Sequence, residues 1–191
     1  MNQTSSITLG RWIRSTWIGW LLGVPLIVIF ALLGELVGIG GSQGLVGLAM
    51  GAGVGWMQRR TLVPVLGRTR RWLWATMIGL GVPFVGYDLL QLMNVEMQFS
   101  LYLAVAIGGG IIGVWQGLLL APHGVSMVAW TLASLAGWSA AAAMSGAIPV
   151  AAGPGGIAGA LLYLGAVAVA GAIPGLVTGL VIRRMEFSRT G

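Results

Sequence analysis

The chain of 191 residues is 57% hydrophobic and only 7% charged, with mean hydropathy +0.93; soluble domains carry roughly 25% charged residues, so the solvent of this chain is a bilayer. Its net charge of +6 comes from 10 basic residues, all arginine: without lysine there is no amine for a retinal or pyridoxal Schiff base, and with no cysteine there is no iron–sulfur cluster, thiolate zinc site or disulfide. His123, the single histidine, and four carboxylates assemble neither a metal site nor a nucleophile–base pair, and the arginines cluster beside apolar segments, which explains them by topology rather than by nucleic acid.

The first predicted span covers 15–37. Arg11 and Arg14 precede it, and the apolar run behind them exceeds the about 7–15 residues of a signal-peptide core, so it reads as an uncleaved helix. It carries Trp12-x-x-x-Thr16-x-x-Gly19, an internal Pro25, and Glu35 near its far end, a carboxylate within reach of headgroups. The linker GIGGSQG leads to span two, 43–58, with Gly51-x-x-x-Gly55-x-x-Gln58 and then Arg59 and Arg60. A glycine loop that cradles phosphate follows a strand and opens a helix. Glycines four apart inside an apolar segment instead share one helix face and let a neighbouring backbone approach closely.

Span three, 72–92, follows Arg68, Arg70 and Arg71 and carries Trp72-x-x-x-Thr76-x-x-Gly79 and Pro83. Asp88 lies about 25 Å along this helix beyond Arg71, near the far interface. Interface placement is its first reading, and proton or cation handling the alternative. Span four, 99–120, repeats the glycine pattern as Gly109-x-x-x-Gly113-x-x-Gln116. After APHG, span five, 126–146, carries Trp130-x-x-x-Ser134-x-x-Gly137-Trp138. Span six, 156–182, carries Gly171-x-x-x-Gly175-x-x-Thr178, interrupted by Pro174.

Corresponding positions recur about every sixty residues, which predicts three tandem two-helix units, about 11–66, 67–121 and 122–184, in a single transmembrane domain spanning 1–191. The expected fold is an all-α integral membrane protein of six transmembrane helices, compatible with a pseudo-three-fold bundle about an axis along the membrane normal. Gly51, Gly55, Gly109, Gly113, Gly171 and Gly175 are the expected packing positions. Gln58 and Gln116, with Thr16, Thr76, Ser134 and Thr178, form either interhelical glue or a polar vestibule. Gln58 is placed close to the headgroups because Arg59 follows it.

Arginines precede span one, fill the connection between spans two and three and follow span six, whereas the odd-to-even connections hold none. The positive-inside rule then puts both termini in the cytoplasm of a plasma (inner) membrane protein. Trp12, Trp72 and Trp130, at the starts of the odd spans, are expected to anchor in the interfacial belt.

For function, the small-residue faces and the scarcity of embedded charge favour a non-enzymatic accessory or scaffold component, partnered by the bilayer and by another membrane protein or a second copy. The alternative is a small transporter or channel for an ion or a hydrophobic, lipid-like solute, with Asp88, Glu35, Gln116 and Gln58 as candidate intramembrane polar groups. No cofactor or metal site is expected from the residue types; carotenoids and quinones leave no signature in such a sequence.

Overall fold

A computed structural model describes residues 7–67, 70–95, 100–151 and 157–183. Arg68, Glu96, Arg184 and Arg189 lie outside the described residues. Within them every element is helical: α1 (Leu9–Leu36), α2 (Gln43–Leu66), α3 (Arg71–Leu92), α4 (Ser100–Leu120), α5 (Met127–Ala151), α6 (Ile157–Ala170) and α7 (Ala172–Ile182). A 3-10 turn, Ala121–His123, joins α4 to α5. It is closed by Gly124 at φ +82°, where a side chain would be strained.

Five stretches are long and apolar enough to cross a membrane: Leu9–Leu36, Arg71–Leu92, Tyr102–His123, Met127–Ser145 and Gly159–Ile182. α2 is the helix left out. Its run of glycines and the polar Gln43, Gln58, Arg59 and Arg60 lower its hydropathy, although it is 24 residues long and packs between α1 and α3.

The last span departs from the single helix expected over 156–182. It breaks at Gly171 into α6 and α7. Pro174 has no N–H to give to the carbonyl of Ala170, and the carbonyl of Ala168, just before the break, accepts from the indole of Trp17 at 2.8 Å. Pro25, Pro64 and Pro83 are accommodated inside unbroken helices.

Each helix packs on its neighbour in sequence, and α7 returns to α1, so the helices close into a ring. Close approach depends on missing side chains. A Cβ at Gly51 would lie 2.6 Å from the carbonyl oxygen of Thr76, and one at Gly55 2.9 Å from the Thr76 side chain, both on α3. Gly109 and Gly113 meet Ser134, Trp138 and Thr131 of α5 in the same way, and Gly171 and Gly175 meet Trp20, Thr16 and Ile13 of α1.

Inside the ring, one apolar layer gathers Trp12, Trp72 and Trp130, all without exposed surface, with Leu62, Leu120 and Ile182. The three indoles meet mutually edge-on with centroids 5.9–6.1 Å apart, a geometry worth about 0.5–1.5 kcal/mol per pair beyond burial. This corrects the belt-anchor expectation: the residues fill the axis rather than face headgroups. The exposed indoles are Trp17, Trp56, Trp74 and Trp115, and Arg59 and Arg60 lie over the ring of Trp56 at 5.9 and 5.5 Å.

Candidate ligand-binding cavity

One turn beyond the tryptophan triangle lies a layer of buried polar side chains: Thr16, Thr76, Ser134, Gln58, Gln116 and Thr178. The amide of Gln58 donates to Thr16 Oγ1 at 3.1 Å, and its carbonyl accepts from the Trp72 indole at 3.2 Å. Gln116 donates to Thr76 Oγ1 at 2.9 Å. Trp12 donates to Thr178 Oγ1 at 2.9 Å, a bond that ties the first helix to the last. Gln58 is 5% exposed, which corrects its expected place near the headgroups; it is turned into the ring although Arg59 follows it.

These bonds pair Thr16, Gln58, Thr76, Gln116 and Thr178 across helices, as interhelical glue does. The bonding around Ser134 is incomplete. Threonine stands at 178 where 58 and 116 carry glutamine, and the buried Ser134 Oγ and Trp130 Nε1 have no hydrogen-bond partner among the described residues. Replacing Gln58 by leucine would add the Trp72 indole N–H to the orphans; a loss of about 1–3 kcal/mol is expected, measured by chemical unfolding in detergent.

A third layer, Trp20, Leu80 and Trp138 with Val54 and Ile112, closes the axis again. Trp20 and Trp138 stack at 5.7 Å, tilted by 36°. Above this floor, away from the arginines, opens a cavity of about 550 Å³, within the usual range for small-molecule sites. α2 contributes Gln43, Val46, Gly47 and Met50, α3 Phe84, α4 Tyr102 and Val105, α5 Ala142 and Ser145, and α6 Tyr163 and Val167. Among the described residues no charged side chain lines it.

The wall between α1 and α6 is thin. α1 has no buried residue from Val24 to Leu33, and α6 buries only Ala166 and Ala170 among its residues of described burial. At the opposite wall, α2 and α3 are clamped. Asp88 Oδ2 accepts from Ser42 Oγ at 2.6 Å and from the Gly44 N–H at 2.8 Å, and Oδ1 accepts from the Gln43 N–H at 2.9 Å.

Asp88 therefore caps the N-terminus of α2 from across the hairpin, where a carboxylate also meets the positive end of the helix dipole. Asp88→Ala is expected to cost about 1–2 kcal/mol and to raise amide exchange at Gln43 and Gly44, while Asp88→Asn, which keeps one acceptor, loses less; hydrogen exchange checks both. Glu35 is exposed at the end of α1, its carboxylate against Gly40.

The cavity residues Phe84, Val46, Val105 and Tyr163 carried no signal beyond apolarity; only Trp20 and Trp138 stood out, by their matching places after Thr16 and Ser134. Compared with protein-family models, curated proteins and solved structures, the chain matches none.

Proposed function

We propose that the chain is a non-enzymatic, six-span protein of the plasma membrane that holds a lipophilic small molecule in the cavity between its helices. The observation that carries this reading is the apolar cavity of about 550 Å³ seated on Trp20, Leu80 and Trp138. A channel for an ion or polar solute fits poorly, because the axis below the cavity is filled by two further layers of buried side chains. Asp88 is spent on the α2 cap, which argues against a role in ion coupling.

The six-span, three-unit architecture is part of the same proposal. It draws support from the packing of Gly51 and Gly55 on α3, Gly109 and Gly113 on α5, and Gly171 and Gly175 on α1, each pair meeting the next odd helix around the ring. α2 crosses the bilayer on this reading despite its modest hydropathy, because Gln43 and Gln58 face the ring and Arg59 and Arg60 sit at its cytoplasmic end, over Trp56. Arg11, Arg14, Arg59, Arg60, Arg71 and Arg183 share the end that the positive-inside rule assigns to the cytoplasm, so the cavity opens towards the outer leaflet.

The accessory reading keeps one observation of its own, an outward groove on α4 formed by Ile107, Gly110, Val114 and Trp115, into which a partner's helix would fit.

Native mass spectrometry with an absorption spectrum, on protein isolated from its own membranes in mild detergent, tests the proposal. A stoichiometric lipophilic adduct lost in the cavity-filling variant Ala142→Phe is the expected result. A stoichiometric protein partner and an empty cavity would return the accessory reading to the front.

A further inference from the structure

The cavity's chemistry selects among lipophiles, and this inference rests on the proposed binding role. We propose that the ligand is an uncharged amphiphile with a hydroxyl-type head, a long-chain or isoprenoid alcohol or its like, and that phosphate-bearing lipids are excluded.

Three observations converge. First, the floor and walls supply aromatic and aliphatic surface for a chain, while the polar groups that face the cavity are all neutral: Gln43, Ser145, Tyr102 and Tyr163. The Gln43 amide nitrogen donates to the carbonyl of Gly41 at 3.5 Å, which leaves its side-chain oxygen to act as an acceptor. Ser145 Oγ spends its proton on the carbonyl of Ala141 at 2.9 Å, so it too offers lone pairs. A hydroxyl head donates to these acceptors and accepts from the tyrosine hydroxyls; a phosphate, which at neutral pH chiefly accepts, leaves the Gln43 and Ser145 oxygens without a donor.

Second, the charge closest to the cavity is negative. Asp88 stands one turn beyond Phe84 on α3 and accepts from the backbone of Gln43, and both Phe84 and Gln43 line the cavity. Third, the cations lie at the other end. About 20 Å of helix separates Arg71 from Phe84, and three packed layers intervene. An anionic head in the cavity would thus be stripped of water without a counter-charge, the costly case for a charge in low dielectric.

The test pairs farnesol with farnesyl monophosphate, which share a tail and differ in the head. Each is titrated against the detergent-solubilised full chain, with adducts counted by native mass spectrometry and checked by quenching of the tryptophan emission. Ala142→Phe and Val46→Phe serve as two independent cavity-filling controls, each verified as folded by its melting curve.

The alcohol is expected to bind at least tenfold more tightly than the phosphate, and both controls to lose it. The chain's own +6 charge would draw the phosphate non-specifically, so the expected preference runs against bulk electrostatics. Equal binding of both, lost together in the controls, would overturn the exclusion of phosphate and leave the cavity as a lipid site. Binding of neither, or binding untouched by both controls, would overturn the cavity reading itself.

Discussion

Trp72→Ala is expected to destabilise the protein by about 3–5 kcal/mol, whereas Trp74→Ala, two residues away, is expected to change stability by less than about 0.5 kcal/mol. Trp72 has no exposed surface, meets the indoles of Trp12 and Trp130 edge-on, and donates to Gln58. Its removal opens a cavity on the ring axis that three different helices line, so no single backbone shift collapses it. The Gln58 carbonyl also loses its donor away from water. Trp74 is 50% exposed and faces outward. Unfolding of both variants in the same detergent measures the difference. Equal losses would mean that Trp72 is an interfacial anchor after all and that the packed triangle is not the core.

Gly51→Leu is expected to be as damaging, by several kcal/mol, and Gly86→Leu close to neutral. At Gly51 even a Cβ would fall 2.6 Å from the carbonyl oxygen of Thr76 and from Cα of Met77, which are backbone atoms of a packed helix and cannot yield locally. The added volume must push α2 and α3 apart. That separation also strains the Gln58–Trp72 bond and the Asp88 clamp, which bridge the same pair of helices. At Gly86 nothing lies within 4 Å of the position a Cβ would take. Yield of monodisperse protein and its melting temperature read out both. A stable Gly51→Leu would show that the α2–α3 contact is looser than its geometry.

Much of this arrangement is legible in the sequence because packing in a bilayer leaves periodic marks. Trp12, Trp72 and Trp130 occupy matching places ahead of Thr16, Thr76 and Ser134, and the six side chains do lie in adjacent layers of one axis. The same tryptophans show where such reading stops. A tryptophan at the start of a span suits the headgroup belt and the core equally by composition, and only the direction of its Cβ decides. Gln58 misleads for a related reason: Arg59 beside it suggests headgroups, yet successive residues on a helix point about 100° apart, so one turns inward while the other faces out.

The break at Gly171 is accompanied by a tertiary bond, Trp17 to the Ala168 carbonyl, which the sequence around Pro174 does not announce. The cavity is invisible in advance because hollows are made by what side chains fail to fill, and its lining of valine, phenylalanine and tyrosine is indistinguishable in type from residues that face lipid.

The closing of the ring between α1 and α7 bears on how the chain is made. Trp12 and Thr178 are bonded across 166 positions, so during synthesis α1 waits for nearly the whole chain before its second neighbour exists. The seams α1–α2, α2–α3, α3–α4 and α4–α5 form between consecutive helices and can be made as they emerge, whereas α7 packs on α5 as well as on α1. Until α7 arrives, the nascent bundle is an open arc whose polar layer, Thr16 included, faces the bilayer without its last partner. α7 therefore acts as a keystone: a chain that stops before about residue 172 keeps the seams between α1 and α5 and lacks those that α7 makes with α5 and with α1. The same logic makes the α1–α7 seam the place where a second copy of the chain could exchange its last helix with the first.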